Sequence, residues 1–118
     1  MNSSEILRKA IELCEDRKAE DIVTYDVREK SILADFHLLC SGNSKTQVRA
    51  ILLSLEKSFK DLGIQPRSIE GIPESGWVIM DYNDVLIHIF HNEIRTYYNL
   101  EGILGQSMRL STYHDLEE

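Results

Sequence analysis

The chain has 118 residues, a hydrophobic fraction of 42% and a formal net charge of -7 at pH 7, a composition typical of one globular domain with its own core. Its two cysteines, Cys14 and Cys40, lie far apart without a ligand pattern, which argues against a zinc site or a disulfide framework and predicts buried thiols. No apolar run reaches the roughly 20 residues of a membrane span and no signal peptide is recognisable, so we expect a cytoplasmic protein without membrane contact.

The negative charge belongs to the second part of the chain. Residues 1–69 carry eleven acidic and eleven basic side chains, whereas residues 70–118 carry nine acidic side chains against Arg95 and Arg109. A surface of this sign repels phosphate backbones, so direct sequence-specific binding of nucleic acid is not expected. A basic protein partner would be attracted to it. Three of the acids are interpreted as part of a solvated tail: Asp115, Glu117 and Glu118.

The first predicted elements are a helix and two strands. Residues 4–18 repeat apolar side chains at spacings of three and four, which predicts an amphipathic helix. Residues 21–27 alternate and are rich in β-branched and aromatic residues, which predicts a strand. Residues 34–41 form a second extended run after a charged turn, so we expect the two strands to be neighbours.

A second helix is predicted from Ser44 to Gly63. Gly42 ends the preceding strand, and Ser44 and Gln47 have the spacing of a capping box, in which each side chain binds the other's backbone amide. Apolar residues sustain the helical period up to Gly63, a residue suited to the left-handed conformation that often ends helices.

Three strands and a short helix follow. Residues 66–71, 77–82 and 84–90 are extended, and the last two runs carry apolar residues in both alternating sets, which predicts strands covered on both faces. Asn83 tolerates the positive φ that a tight reversal demands. Asn92 is expected to cap a helix that ends near Tyr98.

The order of these elements is α-β-β-α-β-β-β-α. It predicts an α/β fold in which a mixed sheet of about five strands packs against flanking helices. We expect a single domain over residues 1–118, with an acidic tail at residues 106–118.

Asp81 and Asp84 lie on either side of the predicted turn and could ligate Mg²⁺, because hard cations prefer carboxylate oxygens. The junction of Gly42 and Ser44 could offer helix amides to an anion, but it lacks the lysine and the spacing of a phosphate-binding loop. We therefore favour aspartates that form the turn or face a partner, and predict no metal site, cofactor or catalytic residue.

His88 and His91 have a spacing that would bring two imidazoles together on a helix, whereas in a strand they point to opposite faces. We interpret His88 as a histidine that is hydrogen-bonded within the sheet. His37 and His114 have no evident partner in the sequence.

Trp77 is the only tryptophan, and it leads the strand that runs into Asp81 and Tyr82. It is either a core residue or the centre of an interface, where tryptophan and tyrosine are enriched. Composition alone leaves both readings open.

Three segments carry a resemblance to a known family: AEDIVTYDV (residues 19–27), ADFHLLCSGNSKTQVRAI (residues 34–51) and IEGIPESGWVIMDYNDVLIHIFHNEIRTYYNLE (residues 69–101). Together they resemble the Iojap family, whose bacterial members are ribosomal silencing factors. The resemblance extends over residues 4–104. It implies a mixed α/β fold related to nucleotidyltransferases and a factor that is not an enzyme.

The resemblance also implies a partner and a site. Family members bind the large ribosomal subunit through a basic protein, the fourteenth large-subunit protein, and block the joining of the small subunit when nutrients are scarce. Some members form homodimers. The matching motif residues, and therefore the predicted partner-binding residues, are Trp77, Asp81, Tyr82 and Asp84.

Many relatives have glycine where this chain has Asn83, which leaves the shape of the turn open. Nothing is transferred beyond Gly105, where relatives vary. Two alternative functions stay open: an assembly factor of the large subunit, and a Mg²⁺-dependent, nucleotidyltransferase-like enzyme that would use Asp81 and Asp84.

Overall fold

The computed structural model describes residues 1–105 and the backbone of residues 108–110. Its elements in chain order are α1 (Ser3–Asp16), β1 (Glu20–Asp26), β2 (Phe36–Gly42), α2 (Lys45–Asp61), β3 (Ser68–Glu70), a 3-10 turn (Pro73–Ser75), β4 (Trp77–Asp81), β5 (Val85–His91), α3 (Asn92–Tyr98), α4 (Leu100–Leu104) and β6 (Met108–Leu110). The predicted order of helices and strands is confirmed, and α4 and β6 follow it. The rest of the predicted acidic tail lies outside the described residues.

The described strands form one mixed sheet in the order β3-β4-β5-β2-β1-β6. The pairing of β2 with β5 is parallel, from Phe36 opposite Val85 to Gly42 opposite His91, and the other pairings are antiparallel. Parallel neighbours need a long crossover connection, which here contains α2, β3 and β4. The crossover therefore places β2 and β5 side by side at the centre of the sheet.

One face of the sheet is covered by α1 and α2, and we refer to it as the helix-covered face. Its side chains come from alternate positions of each strand, as the two-residue period requires. Cys14 of α1 meets Cys40 of β2 there, with 3.8 Å between the sulfur atoms, and both thiols are free and buried as predicted. The fully buried residues of this core include Leu7, Ala10, Leu38, Ile51, Leu55, Phe59, Met80, Ile87 and Ile89.

The other face, which we refer to as the open face, is covered only in part. A smaller apolar cluster lies under α3 and α4, and it is built around Val23, Leu39 and Phe90. Along β4 the residues on the open face are half-buried, whereas Val78 and Met80 on the opposite face are fully buried. The prediction that β4 is covered on both faces is therefore wrong, because α3 reaches only the Trp77 end of the strand.

Arg95 fastens α3 to the sheet. The residue is 7% exposed, and its guanidinium donates hydrogen bonds to the Asp21 carbonyl oxygen at 2.7 Å, to the Ser41 hydroxyl at 2.8 Å and to Glu101 at 2.8 Å. A buried cation needs such partners to offset its loss of hydration. The C-terminal helices are thus held over β1 and β2, which leaves the β4 side of the open face uncovered.

The backbone conformation at two turns confirms the sequence-based predictions, whereas the capping of two helices differs from them. Asn83 (φ 74°) and Gly63 (φ 78°) adopt the expected left-handed conformation. Ser44 caps α2 by accepting from the Gln47 amide at 3.1 Å, but the Gln47 side chain accepts from Asn43, not Ser44, at 2.7 Å. The predicted reciprocal capping box is therefore wrong in its second half.

The start of α3 also differs from the prediction. Asn92 is the first helical residue, and the cap position belongs to His91, whose side chain makes no capping hydrogen bond. The preceding strand runs to His91, so β5 passes directly into α3 without the expected polar cap.

The Ser44 cap gives a first prediction. Ser44→Ala removes the acceptor of the Gln47 amide, and we expect the free energy of unfolding to fall by about 1 kcal/mol, the usual cost of a lost helix cap. Urea denaturation measures it. Ser58→Ala makes the same change inside α2 and should cost much less, because alanine favours a helix interior. An equal loss in both variants would contradict the capping role.

Candidate docking surface on the open face

The uncovered part of the open face is formed by neighbouring residues of β3, β4 and β5. Residues that are opposite each other in paired strands point to the same side of a sheet. The register therefore gives three rows on this face: Ser68, Asp81 and Leu86; Glu70, Ile79 and His88; Trp77 and Phe90. The rows contain two of the four predicted partner-binding residues, Trp77 and Asp81.

Trp77 lies half-buried at one end of this surface. Its ring stacks on Phe90 with 5.0 Å between centroids and contacts Tyr98 of α3 at 4.9 Å. Gly76 leads into it with φ 81°, and a Cβ there would lie 2.5 Å from Ile94, so glycine is required by both conformation and space. The indole is thus braced from the β5 and α3 sides while part of it stays accessible.

A chain of two hydrogen bonds runs from Trp77 into the sheet. The indole Nε1 donates to His88 Nδ1 at 3.2 Å, and His88 Nε2 lies 2.9 Å from His37 Nδ1. The two imidazoles stack with 5.2 Å between centroids. The predicted role of His88 as a hydrogen-bonded sheet residue is confirmed. The partner of His37 was missed, because only the parallel pairing of β2 and β5 brings the two rings together.

Both histidines have a pKa below that of a free imidazole. Burial lowers the pKa of His88 to about 3, and the neighbouring His37 adds to the effect. Burial also lowers the pKa of His37. His91, the other member of the pair noted in the sequence, ends β5 three residues later and is not part of this chain of hydrogen bonds.

The two aspartates lie at the opposite end of the β4–β5 hairpin from Trp77. Asp81 follows Trp77 by four positions along the strand, roughly 13 Å at the usual rise of a strand. The Asp81 carboxylate accepts from Arg67 at 2.7 Å and from the Asn83 amide at 2.7 Å, so it shapes the turn and is partly neutralised. Asp84 is exposed, and its carbonyl oxygen accepts from the Asp35 and Phe36 amides.

Tyr82 is not on this surface. It is 4% exposed and packs on Phe59 of α2, with 4.7 Å between ring centroids, on the helix-covered face. Burial raises the pKa of its hydroxyl, which has no hydrogen-bond partner within the described residues. The structure therefore separates Tyr82 from Trp77 by the thickness of the sheet.

The sequence analysis missed other residues of the uncovered surface, among them Leu86, Ile79 and Glu70. Ile79 is half-buried and belongs to neither apolar cluster, and Glu70 beside it is exposed and has no described ionic or hydrogen-bond partner. The alternation along β4 was visible in the sequence, but it could not reveal which of its two faces lacked a covering helix.

A Mg²⁺-dependent enzyme would need carboxylate ligands that converge on an ion. Within the described residues, no group of three or more histidine, cysteine, aspartate or glutamate side chains is arranged to hold a metal ion. The amide of Asn43, near the start of α2, donates to the Gln47 side chain and is not free to bind an anion.

None of the described helices is long and apolar enough to span a membrane.

The buried histidines predict a loss of stability in acid. The unfolded chain takes up a proton on His88 near pH 6.5, whereas the folded chain does not do so until about pH 3. The contribution of neutral His88 to the free energy of unfolding is therefore fully present above about pH 6.5 and decreases as the pH falls from there towards 3. From about pH 7.5 to about pH 5.5 we expect a loss of roughly 1 kcal/mol, measured by urea denaturation.

His88→Gln removes this titrating group and should reduce the acid-induced loss. The carboxylate of Asp26 does not contribute to the loss between about pH 7.5 and about pH 5.5, because its hydrogen bonds with Arg28 hold its pKa below the ordinary 3.8. Stability that stays constant over this range would contradict the neutral, buried state of His88.

Comparisons with known proteins agree with this architecture. The family model described as ribosomal silencing factor during starvation matches residues 1–118. A ribosomal silencing factor of Bacillus subtilis is 42% identical over 107 residues, which cover 91% of both chains. One of Halalkalibacterium halodurans is 40% identical over 107 residues, which cover 91% of this chain and 92% of the relative.

Two crystal structures share the fold. A protein from Chromobacterium violaceum has a TM-score of 0.85 at 32% identity, with 89% of this chain and 88% of that chain covered. A protein from Bacillus halodurans has a TM-score of 0.81 at 37% identity, with 92% of this chain and 98% of that chain covered. Sequence, fold and family model agree, and the chain belongs to the ribosomal silencing factor family.

Proposed function

We propose that this protein represses translation by binding the large ribosomal subunit in the cytoplasm. Its contact is a basic ribosomal protein, the fourteenth of the large subunit, and the bound protein obstructs the joining of the small subunit when nutrients are limiting. The observation that carries the proposal is a half-buried tryptophan at the end of an uncovered apolar surface that is edged by acids. We refer to this surface as the docking strip and define it as Glu70, Trp77, Ile79, Asp81 and Leu86.

The apolar part of the docking strip suits a protein partner. Trp77, Ile79 and Leu86 are each half-buried, so a partner would remove their remaining surface from water. The Trp77 ring is already fixed by Phe90 and Tyr98, which reduces the entropy lost on binding. A rigid aromatic residue that is exposed on one side is a common centre of interface energy.

The charged part of the docking strip suits a basic partner. Glu70 is exposed and lies beside Ile79 in the sheet, while Asp84 is exposed at the turn. Asp81 contributes less charge because Arg67 is paired with it. Opposite charge on the two partners mainly speeds association, whereas the packed aromatic group governs dissociation. We leave Tyr82 out of the strip and assign it to support of the hairpin from the core.

Obstruction requires no chemistry of the chain itself. The Asp81 oxygens are already engaged by Arg67 and by the turn amide, which supports turn formation over metal binding. An enzyme of the nucleotidyltransferase type would bind ATP in the presence of Mg²⁺ and lose this binding on replacement of Asp81 and Asp84. Calorimetry with purified protein distinguishes the two functions, and we expect no metal-dependent heat of nucleotide binding.

An assembly factor would bind the same subunit but leave a different trace in cells. A strain without the gene would then accumulate precursors of the large subunit in sucrose gradients. We expect mature particles with altered subunit joining instead. A second copy of the chain is a further competitor for the docking strip, so the mass of each variant is measured in solution at the concentrations used for binding.

Trp77→Ala tests the apolar part of the docking strip. We expect binding to isolated large subunits to weaken by about 2 kcal/mol or more, the usual loss at a central aromatic residue, with most of the change in the dissociation rate. Leu53→Ala is the matched control, since Leu53 is 53% exposed on α2 behind the helix-covered face. Equal dissociation rates for the folded Trp77 variant and the wild type would reject the proposal.

Glu70→Lys tests the charged part. Reversing the charge should slow association with large subunits severalfold at low salt and much less at high salt, because exposed charges are screened. Glu12→Lys makes the same change on α1, on the other side of the sheet, and should bind nearly as the wild type does. If both variants slow association equally, net charge is responsible and the position of Glu70 is not.

A further inference from the structure

The strongest feature outside the docking strip is the hydrogen-bond chain behind Trp77. It links three side chains from three strands, Trp77 of β4, His88 of β5 and His37 of β2. His88 is buried and His37 is half-buried, and polar side chains in such places are normally held by specific hydrogen bonds. The inference below rests on the proposed function of Trp77 and deepens it.

The chemistry of the three rings fixes where the protons are. An indole N–H only donates, so His88 Nδ1 must accept and the proton of neutral His88 is on Nε2. That proton points at His37 Nδ1, which must therefore accept as well. Both hydrogen bonds exist together only when both imidazoles are neutral and each has its proton on Nε2.

One added proton breaks the chain. A proton on His88 Nδ1 faces the indole N–H, so the bond to Trp77 is lost. A proton on His37 Nδ1 faces the Nε2–H of His88. If the proton of His88 moves to Nδ1 instead, it faces the indole N–H of Trp77. In each case two donors meet and one hydrogen bond is lost.

The groups that face the chain do not stabilise a cation within it. Tyr25 of β1 is opposite His37 in register, and Lys30 lines an open groove beside it. From α3, Tyr98 contacts Trp77. From β4, Asp81 lies on the same face, but its carboxylate is paired with Arg67. From β3, Glu70 is in the same row as His88, with Ile79 between them.

We propose that His88 and His37 are positioning residues of the docking strip, which hold the indole of Trp77 in its docking orientation through a hydrogen-bond chain that exists only in the neutral state. The stacking partners Phe90 and Tyr98 fix the plane of the indole. The hydrogen bond to His88 adds a direction within that plane, which stacking alone does not give. Loss of the chain therefore leaves Trp77 in place but free to turn.

Trp77 reports on its own mobility, because the chain contains a single tryptophan. Time-resolved fluorescence anisotropy of the free protein measures how fast the indole turns, and release from isolated large subunits measures docking. His88→Leu removes both hydrogen-bonding nitrogens. His88→Gln keeps one acceptor and adds amide donors that do not titrate. His91→Gln is the matched control outside the chain.

We expect His88→Leu to increase the mobility of Trp77. The variant protein should also dissociate from large subunits roughly two- to tenfold faster, the range expected for one neutral hydrogen bond. His37→Leu should act in the same direction with a smaller effect. His88→Gln should retain most of the wild-type behaviour, and His91→Gln all of it. Combining Trp77→Phe with His88→Leu should cost no more than the larger single change, because both remove the same bond.

The pH profile separates positioning from simple packing. In the wild type, Trp77 should become more mobile as the pH falls below the ordinary histidine range, and in His88→Gln this change should be much smaller. If His88→Leu does not fold, the comparison of wild type with His88→Gln decides alone. Unchanged mobility of Trp77 in folded His88→Leu, or an equal acid response in wild type and His88→Gln, would overturn the inference.

Failure of the proposed function would look different. Wild-type protein that does not bind large subunits refutes the docking proposal, whereas the anisotropy of the free protein still tests the positioning of Trp77. Conversely, strong binding that depends on Trp77 but is insensitive to both histidines refutes only the positioning role.

Discussion

The parallel pairing of β2 with β5 is the constraint on which the rest of the structure depends. It joins segments about fifty residues apart and places both strands at the centre of the sheet, where neither has a free edge. The pairing brings His37 beside His88, and β5 continues directly into α3, so that Arg95 reaches Ser41 and the Asp21 carbonyl. Both the core and the proposed docking surface are arranged around this one ladder.

The two faces of the sheet differ in composition. The helix-covered face is mostly apolar and provides most of the buried core, with Tyr82 of the hairpin packed into it. The open face combines aromatic, imidazole and acidic side chains, and its smaller core lies under α3 and α4. Neutral histidines are well suited to this intermediate environment, since they supply directed hydrogen bonds without the hydration cost of a charge. The single alternation of β4 thus contributes to the core on one side and to the proposed docking strip on the other.

Most of the fold could be predicted from the sequence, because periodicity and turn chemistry act over short distances. The α2 cap at Ser44 and the reversal at Asn83 are local and were confirmed. The partner of His37 and the burial of Tyr82 depend on strand order and on the positions of helices, which no local pattern encodes. Trp77 was singled out from its residue type and from the family resemblance and stays a predicted contact, whereas Glu70, Ile79 and Leu86 required the register of β3, β4 and β5.

The shape of the sheet edge has a consequence for how a partner can approach. The β3 edge next to β4 has only three residues, begins just after Pro66, and carries the charged Arg67 before it. Such an edge offers few free amides and resists the addition of a foreign strand. Recognition by backbone pairing, common where sheets meet peptides, is thereby disfavoured. A partner at the proposed docking strip would therefore contact side chains on the face of the sheet, and its own fold could stay intact on binding.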